Sequence, residues 1–599
     1  MIANRRARDR QRLRLLLGAL VAGFVVIATQ VAQLQILSGE HLAALSERNR
    51  IRVRPVVAPR GILFDRTRLP LVDNRPAFTL VVVPKDAPDF PAVLDRLGAL
   101  LQAPPGELRS RFARVALDSP WPVRVWRGLT LDEVARLEEW RLDLPGVSVE
   151  VESQRTYPSA EFAAHLLGYV REATEADLAR GPLRRGDLIG QAGLERLQDE
   201  HLRGRDGAEQ IEVDAHGRPI RVLLRHEPVP GAHVFTTIDR RIQRAAEEAL
   251  GARAGAVVVM DPRNGDVLAL VSHPAFPVER FAGPLDRETW LALVQDPGRP
   301  LLNRAVQGTY PPGSLFKIVV AAAALQAQVF TPFDRLPCPR AWWFGGRPYH
   351  NWEDHDRGAL TLAEAIQHSC NTFFYQLGLK LGPDRIGRMA EGFGLGRVTG
   401  SQLTGERPGL VPSPEWKKRV FKDRWHPGDT VSLAIGQGLI TVTPLQMARF
   451  TAAVANGGTL WKPRLVDRVE ALDGTLRASQ PPVAEGRVEL APVIFDYLVA
   501  AMTAVVEQGT GKQARIPGVT VAGKTGTAQT HEFRSDAERK RRDRDHAWFA
   551  GFAPAERPEV VVVVFAERAG LGGQVAAPIA REMFKAIFLE KVAAAGLAG

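Results

Sequence analysis

The segment YPPGSLFKIVV, Tyr310–Val320, carries a serine and a lysine three residues apart at the front of an apolar run. Pro311 and Pro312 do not fit inside a helix, so the pattern predicts a helix that begins close to Ser314 and continues through the alanine-rich residues that follow. Apolar side chains on nearly every side indicate a helix buried at the centre of a domain. Residues three apart share a helix face, so we expect Lys317 beside Ser314.

This pair suggests a nucleophile with its own base. Burial disfavours the charged form of an amine, so Lys317 is expected to accept the hydroxyl proton of Ser314 and leave a nucleophilic alkoxide. The helix N-terminus favours the negative charge that develops there. A lysine that extends to the surface would give the same pattern, so the interpretation depends on further motifs.

A second motif is Ser369-Cys370-Asn371, just ahead of an aromatic segment with helical character. Its serine and asparagine, two residues apart, are suited to place a hydroxyl and an amide in one cleft. Taken alone, the same residues would make an ordinary helix cap or turn.

The third motif is Lys524-Thr525-Gly526-Thr527, which lies in a strand-like segment. A glycine in a strand lets a ligand backbone approach closely. A lysine and two hydroxyl groups on a strand edge suit a carboxylate.

The chain around these motifs predicts one sheet built from distant segments. Asn264-Gly265 between two apolar runs predicts a β-hairpin. Val519–Gln529 and Glu559–Arg568 are also strand-like, and the region from Ser314 to about residue 450 is mostly helical in pattern. Strands at both ends with helices between them favour an α+β domain with helices packed on the sheet.

Two helices are predicted before this domain. Leu131, Val134, Leu137 and Trp140 recur at helical spacing within Gly128–Leu144. Asp187–Gly207 reads as a glycine-bounded turn that enters a second helix.

The N-terminus predicts a membrane anchor. Leu15–Gly39 contains no charged residue and is long enough to cross a bilayer as a helix. A cleavable signal has an apolar stretch of only about 7–15 residues, so we expect an uncleaved anchor. The basic residues before it belong on the cytoplasmic side, which places the rest of the chain outside; they are Arg5, Arg6, Arg8, Arg10, Arg12 and Arg14.

Composition limits the function classes. The chain has 599 residues, 45% of them hydrophobic, which is enough for several domains with cores of their own. The net charge of +11 comes without any DNA- or RNA-binding signature, so it fits a solvated surface or attraction to an anionic membrane or polymer. Two cysteines, Cys338 and Cys370, do not make a disulfide framework.

The order S-x-x-K, S-x-N, K-T-G resembles penicillin-binding proteins and class A β-lactamases. The spacings, 55 residues from Ser314 to Ser369 and 155 from Ser369 to Lys524, are of the kind that this superfamily shows. Ala58–Arg66, Arg155–Val170 and the stretch IGQAGLE that ends at Glu195 look like the pedestal of class B, monofunctional members. Pro412–Met447 is similar to penicillin-binding protein 2, the transpeptidase of rod elongation. The resemblance extends from the anchor to about residue 585.

The resemblance implies the architecture. An N-terminal transmembrane helix would be followed by an elongated, strand-rich pedestal and a transpeptidase domain of the serine β-lactamase type, an α+β fold. The expected segments are a cytoplasmic tail at 1–14, the anchor at 15–37, the pedestal or dimerisation domain at 38–228 and the transpeptidase domain at 229–599.

The resemblance also implies roles for the motif residues. Ser314 would attack the D-Ala-D-Ala carbonyl of a stem peptide, with Lys317 as general base. Ser369 would relay a proton to the leaving amine, and Asn371 would hold the substrate amide. Lys524, Thr525, Gly526 and Thr527 would bind the terminal carboxylate, and the backbone N–H groups of Ser314 and Thr527 would form an oxyanion hole.

No cofactor is required by this mechanism, although some similar proteins bind zinc beside the site. Cys370 matches one ligand of that zinc, and Cys338 lies near another. Asn351 and Arg357 stand at the remaining positions and are poor zinc ligands; three nearby residues that could substitute are His350, Asp354 and His355. A metal, a Cys338–Cys370 disulfide and two free thiols all remain open.

The predicted function is therefore a peptidoglycan D,D-transpeptidase of the bacterial inner membrane that crosslinks stem peptides during elongation. A D,D-carboxypeptidase side activity and acylation by β-lactams are expected with it. No glycosyltransferase domain is recognised, so the expected partners are a polytopic glycosyltransferase and other rod-complex proteins. The alternatives are a membrane-anchored β-lactamase or β-lactam sensor, and a catalytically silent scaffold.

Overall fold

The structure is a computed structural model of the whole chain, and it contains two compact units. Two parts of the predicted pedestal, residues 41–50 and 214–218, lie outside the described residues, as do residues 158 and 160 of the segment that resembles a pedestal. The structure describes residues 2–40, 51–113, 115–119, 122–157, 159, 161–179, 183–184, 186–213, 219–282, 287–530 and 544–596.

The N-terminal helix has the length and composition of a membrane span. It runs over Ile2–Ala32 and ends in a π-helical turn, Gln33–Leu37. The candidate span is Arg12–Leu37, whose most apolar 18-residue window has a mean hydropathy of 2.3 and is not buried against protein. No other helix in the described part of the chain is long and apolar enough to cross a bilayer.

The first unit comprises Met1–Pro59, Pro76–Ser153 and Arg205–Val229. One antiparallel sheet in it joins Ile51–Val56, Gly207–Val213 and Pro219–His226. A second group of strands packs its apolar side against helices, with Leu80, Val125 and Leu97 in the shared core. Its elements are the end of strand Pro70–Val82, strands Val123–Leu129 and Val147–Thr156, and helices Phe90–Leu100, Glu107–Arg111 and Leu131–Glu139.

The second unit comprises Arg60–Arg75, Gln154–Gly204 and Pro230–Gly599, and its centre is the predicted sheet of distant segments. All neighbouring strands pair antiparallel. The predicted hairpin at Asn264-Gly265 joins the first two strands and is confirmed. In spatial order the five strands are Val267–His273, Gly255–Met260, Val560–Ala566, His546–Ala553 and Ala522–Ala528.

Helices cover both faces of this sheet. Alternate residues of Gly255–Met260 enter two different cores: Val258 lies in the larger core with the alanine-rich helix that follows Ser314, whereas Val257 lies in a core with helices Arg240–Leu250 and Ala576–Gly596. Burial on both faces explains why the strands are continuously apolar instead of alternating with polar residues.

The middle of the second unit is mostly helical, as predicted. Its helices are Gly313–Phe316 (3-10), Lys317–Gln326, Leu362–Gln367, Asn371–Leu381, Pro383–Gly392, Pro414–Phe421, Pro427–Leu433, Pro444–Ala455 and Pro492–Glu507. Short paired strands interrupt them at Leu336–Pro337 with Ala359–Leu360, Ala341–Phe344 with Arg347–His350, and Thr459–Trp461 with Ala484–Arg487.

The rest of the second unit consists of short elements. Its strands are Leu63–Phe64, Val170–Glu172, Leu188–Gly190, His233–Thr236, Val466–Glu470 and Leu476–Ser479. Its helices are Ala164–Leu167, Glu175–Leu178, Gly193–Leu197, Asp199–Leu202 and Arg287–Gln295.

Two predicted helices differ from the structure. The helix predicted over Gly128–Leu144 is α-helical only over Leu131–Glu139, because Thr130 and Glu133 form a capping box that sets its start. Asp187–Gly207 contains a short strand and two short helices, Gly193–Leu197 and Asp199–Leu202, instead of one helix.

Candidate active site

The helix that carries Ser314 begins where the proline pair predicts. A 3-10 turn, Gly313–Phe316, leads into the α-helix Lys317–Gln326. Gly313 has a φ of +55°, and a Cβ there would lie 2.6 Å from the carbonyl oxygen of Thr527. Glycine at this position therefore brings the start of the helix against the strand that carries the K-T-G motif.

The Ser369-Cys370-Asn371 motif forms the turn into the next helix. Ser369 is buried and has a φ of +54°, a left-handed conformation that is rare for a residue with a side chain. Cys370 is the N-cap of helix Asn371–Leu381, and its sulfur accepts a hydrogen bond from the backbone N–H of Phe373 at 3.3 Å. The same turn therefore provides both the helix cap and the two residues that were predicted to face the cleft.

Lys317 lies at the centre of this site. Its side chain is fully buried, and its Nζ donates to the carbonyl oxygen of Ser369 at 2.7 Å and to Oδ1 of Asn371 at 2.7 Å. Oγ of Ser369 lies 3.3 Å from the same nitrogen. Burial, reinforced by the positive charge of Lys524, lowers the pKa of Lys317 well below its ordinary value. The amine therefore has a depressed affinity for its proton.

Lys524 approaches the same serine from the edge strand Ala522–Ala528. Its side chain is 1% exposed, and its Nζ donates to Oγ of Ser369 at 2.9 Å and to the carbonyl oxygen of Thr525 at 2.9 Å. Burial lowers the pKa of Lys524 to about 7. In the described part of the chain, neither Lys524 nor Lys317 forms an ion pair with a carboxylate, so an anionic ligand would supply the missing negative charge.

The threonines of the edge strand face a cavity, and the glycine between them has a different use. Thr525 and Thr527 line the cavity, where Oγ1 of Thr525 is 2.6 Å from Oγ1 of Thr510. At Gly526, an added Cβ would lie 3.0 Å from the carbonyl oxygen of Pro312. The close approach that Gly526 permits in the structure is therefore to the protein's own chain beside Ser314.

The cavity has a volume of about 340 Å³ and brings the three motifs together. Ser314, Ser369, Asn371, Thr525 and Thr527 all line it. Lys317 and Lys524 are buried behind these side chains and contact the cavity through Ser369. The predicted site residues thus lie at one cavity. Behind its surface, the hydroxyl group of Ser369 and the amide of Asn371 converge with the amines of Lys317 and Lys524.

The family model for the penicillin binding protein transpeptidase domain matches residues 255–585, more than half of the chain. The chain belongs to the penicillin-binding proteins. A second family model, for the penicillin-binding protein dimerisation domain, matches residues 55–236. The combination of a transpeptidase domain with a dimerisation domain confirms the class B assignment.

Curated relatives match this penicillin-binding protein over nearly its whole length. The peptidoglycan D,D-transpeptidase MrdA of Acinetobacter baumannii is 33% identical over 588 residues, which cover 96% of this chain and 87% of that protein. The protein of the same name from Escherichia coli K12 is 34% identical over 593 residues, covering 94% and 92%. The predicted family and the predicted D,D-transpeptidase enzyme are confirmed.

Solved structures agree with the fold of this penicillin-binding protein. A complex between penicillin-binding protein 2 and MreC from Helicobacter pylori matches with a TM-score of 0.76 and 26% identity, covering 90% of this chain and 99% of that chain. A structure described as the structural coordination of polymerization and crosslinking by a peptidoglycan synthase complex matches with a TM-score of 0.70 and 31% identity, covering 96% and 98%. The predicted α+β architecture is confirmed.

The two cysteines of this penicillin-binding protein form a disulfide, which decides among the three states left open. Cys338 and Cys370 are bonded, with 6.3 Å between their Cα atoms. Neither sulfur is therefore a free thiolate ligand, and no group of three or more His, Cys, Asp or Glu side chains among the described residues could hold a metal ion. The zinc site considered at Cys370, with His350, Asp354 and His355 as substitute ligands, is thus not formed.

The two positions that stood against a zinc site have other uses. Oδ1 of Asn351 accepts a hydrogen bond from the backbone N–H of Asn371 at 2.9 Å. Arg357 forms a bidentate ion pair with Glu353. The first of these contacts puts Asn351 directly behind the S-x-N turn.

Sequence reasoning missed much of the cavity wall. Thr510 follows the end of helix Pro492–Glu507 in a glycine-rich turn. This turn is visible in the sequence, but by itself it does not indicate a binding site. The remaining residues come from several segments of the chain, and the sequence assigned none of them to this cavity; His350 and Asn351 were considered only in connection with zinc. They are His350, Asn351, Trp352, Tyr375, Ile435, Gln437, Lys512, Gln513, Gln529, Leu571, Gly573 and Gln574.

Proposed function

We propose that this protein crosslinks peptidoglycan stem peptides during cell elongation through an acyl-enzyme at Ser314. The observation that carries the proposal is the contact of Lys317 and Lys524 with Ser369, behind the cavity that Ser314 lines. Acyl transfer needs a hydroxyl nucleophile near a buried amine that has no carboxylate partner to keep it protonated.

The first step is attack by Oγ of Ser314 on the carbonyl carbon between the two terminal D-alanines of a stem peptide. Lys317 takes the hydroxyl proton. A neutral amine has two hydrogens, and its two short hydrogen bonds, to the Ser369 carbonyl and to Asn371, use both of them. Its lone pair is then available for the proton of Ser314.

The tetrahedral intermediate collapses with loss of the terminal D-alanine. The backbone N–H groups of Ser314 and Thr527 bind the oxyanion, and removal of one such donor typically costs about 2.7–4 kcal/mol in transition-state stabilisation. Ser369 relays a proton to the leaving amine. The close approach of Gly313 to the carbonyl oxygen of Thr527 supports this assignment, because it holds the start of the serine helix against the residue that carries the second donor.

The carboxylate of the terminal D-alanine binds between Lys524, Thr525 and Thr527. Lys524 has no carboxylate partner in the described protein, and an arriving carboxylate supplies one. Asn371 holds the peptide amide, and Gly526 keeps the strand close to the serine helix. An amine of a second stem peptide then takes the acyl group; when water takes it instead, the result is D,D-carboxypeptidase activity. β-Lactams acylate the same serine.

The membrane placement follows from the N-terminal helix. We propose a tail at 1–14 in the cytoplasm, a single span at 15–37 in the inner membrane, and pedestal (38–228) and transpeptidase (229–599) domains in the periplasm. The arginines before the span support this orientation, because basic residues are retained on the cytoplasmic side.

The partners that we propose are a polytopic glycosyltransferase and rod-complex scaffold proteins. The matched structures support this, since one holds a penicillin-binding protein 2 with MreC and another is a peptidoglycan synthase complex that couples polymerization to crosslinking. This chain matches both over 90% or more of its length.

The test is labelling of the detergent-solubilised full-length protein with a fluorescent penicillin, with Ser314→Ala beside it. Ser479→Ala, an exposed serine on the strand Leu476–Ser479, is the matched control. We expect a stable label on the wild type and on Ser479→Ala, mapped to Ser314 by mass spectrometry, and none on Ser314→Ala.

Two results would contradict the proposal. Rapid loss of the label with hydrolysis of the drug would indicate a β-lactamase. Absence of labelling in a folded wild-type protein, together with no release of D-alanine from a stem pentapeptide, would indicate a silent scaffold.

A further inference from the structure

One half of the disulfide, Cys370, lies inside the turn Ser369-Cys370-Asn371, which we call the catalytic turn. Cys370 stands between Ser369 and Asn371, and both neighbours accept a hydrogen bond from Nζ of Lys317 at 2.7 Å. The two sulfurs are fully buried. Any movement of Cys370 therefore moves both of the groups that orient the amine of Lys317.

Cys338 belongs to a separate segment, residues 336–360, which forms one wall of the cavity. The backbone of Cys338 is fixed within this wall by hydrogen bonds with Gly358 at 2.7 Å and Arg357 at 3.0 Å. The same wall contributes Asn351 and Trp352 to the cavity. The disulfide thus joins the cavity wall to the catalytic turn by a covalent bond.

Hydrogen bonds around the disulfide join the same two segments. Asn351 accepts from the backbone N–H of Asn371 at 2.9 Å, and its Nδ2 lies 3.8 Å from Sγ of Cys338. The hydroxyl of Thr372 donates to the carbonyl oxygen of Pro339 at 2.8 Å. The turn therefore has both a covalent and a hydrogen-bonded attachment to the wall.

The turn needs such an attachment because its backbone is strained. Ser369 has a φ of +54°, and a residue with a side chain keeps this conformation only where its surroundings hold it. With the disulfide open, the turn has fewer constraints and Ser369 can relax towards an ordinary backbone conformation.

We propose that the Cys338–Cys370 disulfide, together with Asn351, is a positioning device for acyl transfer, and that the enzyme reaches its full acylation rate only when the bond is closed. Cys338 and Asn351 act through Ser369 and Asn371, so they are positioning residues and not catalytic ones. The inference rests on the proposed acyl-enzyme at Ser314. It also implies that a dithiol reductant lowers the activity: the S–S bond takes up two electrons and two protons to give two thiols, and the dithiol is oxidised to a cyclic disulfide.

The first test is Cys338→Ser in the full-length protein. This variant opens the bond but leaves Cys370, whose sulfur still caps helix Asn371–Leu381. Time courses with a fluorescent penicillin separate the acylation rate constant k2 from the non-covalent dissociation constant K. We expect k2 to fall about 10- to 100-fold, the range that a misplacement of catalytic groups by about 1 Å produces. K should change less than k2, since Lys524, Thr525 and Thr527 are on another element and Asn371 is the one binding residue within the turn.

The matched control is Trp343→Ala. Trp343 lies in the same wall, on strand Ala341–Phe344, and its side chain is 70% exposed. We expect wild-type k2 and K for this variant, which separates loss of the disulfide from general disturbance of the wall.

A second measurement covers the case in which Cys338→Ser folds poorly. The chain has only two cysteines, so alkylation and intact-mass analysis report the open fraction without ambiguity. The wild-type protein is incubated with dithiothreitol, and k2 is followed against that fraction. We expect k2 to fall in proportion and to recover on reoxidation, while a Cys338→Ala/Cys370→Ala variant shows no response to the reductant.

Three results would overturn the proposal. The first is k2 within twofold of wild type in protein whose thiols are shown to be free. The second is a parallel loss of k2 and of penicillin binding that follows the loss of folded protein, which indicates a purely structural bond. The third is failure of k2 to recover on reoxidation of folded protein. Failure of the proposed function is distinct, since the oxidised wild type would then either take no label or lose it rapidly with hydrolysis of the drug.

Discussion

The serine helix and the edge strand each bring one lysine to Ser369, and the two lysines are in different electrostatic positions. Lys317 and Lys524 are both buried, with 0% and 1% of their side chains exposed. Both lie within hydrogen-bond distance of Oγ of Ser369, at 3.3 Å and 2.9 Å. Among the described residues, Lys317 has two further acceptors, the Ser369 carbonyl and Asn371, whereas Lys524 has one, the carbonyl of its own neighbour Thr525.

Their protonation differs because each amine feels a different environment. Burial alone lowers the pKa of Lys524, to about 7. Burial and the positive charge of Lys524 together lower the pKa of Lys317 well below its ordinary value. We therefore expect Lys317 to act as the neutral base and Lys524 as the cation. Two lysines can supply both a base and a cation because the positive charge of Lys524 disfavours a second positive charge on Lys317.

The largest expected effect comes from removal of the base. Lys317→Met keeps a side chain of similar length in the buried helix but has no amine. We expect k2 for acylation by a fluorescent penicillin to fall about 10²- to 10⁴-fold, the usual contribution of general acid–base catalysis. K should stay within a few-fold of wild type. A k2 within tenfold of wild type would mean that Lys317 is not the base and that the two lysines do not divide these roles.

A smaller effect, and on binding instead of rate, is expected for the cation. Lys524→Met removes a charged hydrogen-bond donor, so K for penicillin should rise about 10- to 150-fold, corresponding to about 1.5–3 kcal/mol. Lys524→Arg keeps the charge and should recover part of the affinity. An unchanged K in Lys524→Met would contradict the role given to this lysine.

A third effect is on stability instead of catalysis and depends on pH. Because folding lowers the pKa of Lys524 to about 7, the unfolded chain holds a proton from there up to about pH 10.4 that the folded protein has lost. The free energy of unfolding of the wild type, relative to Lys524→Met, should therefore rise with pH across this window, by up to about 1.4 kcal/mol per pH unit.

Denaturant unfolding in detergent, followed by tryptophan fluorescence at several pH values, measures this difference. Lys418→Met, an exposed lysine on helix Pro414–Phe421, is the control and should show no such slope. A flat difference for Lys524→Met as well would mean that Lys524 keeps its ordinary affinity for the proton inside the fold.

The local part of the site could be predicted from sequence, because each motif depends on short-range geometry. Pro311 and Pro312 set the start of the serine helix, which carries both Ser314 and Lys317. The central sheet followed from the hairpin at Asn264-Gly265 and from two strongly apolar strands. These features need no information about distant parts of the chain.

The tertiary part could not be predicted in this way. Strand His546–Ala553 is not marked by alternation, because both of its faces are buried. Asn351 was noted only as a poor metal ligand, whereas its contact with Asn371 depends on how two segments fold together. The state of Cys338 and Cys370 depends on the distance between their Cα atoms, which spacing along the chain does not determine.

The most direct test of the charge division between the two lysines is the pH dependence of k2/K for penicillin acylation, which reports the free enzyme. The account predicts a bell-shaped profile. The rate rises on the acid side as Lys317, whose pKa lies well below its ordinary value, loses its proton, and it falls above about pH 7 as Lys524 loses its own. Lys524→Arg should remove the alkaline decline, since arginine stays charged. A wild-type rate that instead rises steadily up to about pH 10, where an ordinary lysine deprotonates, would contradict the assignment of Lys317 as the base and Lys524 as the cation.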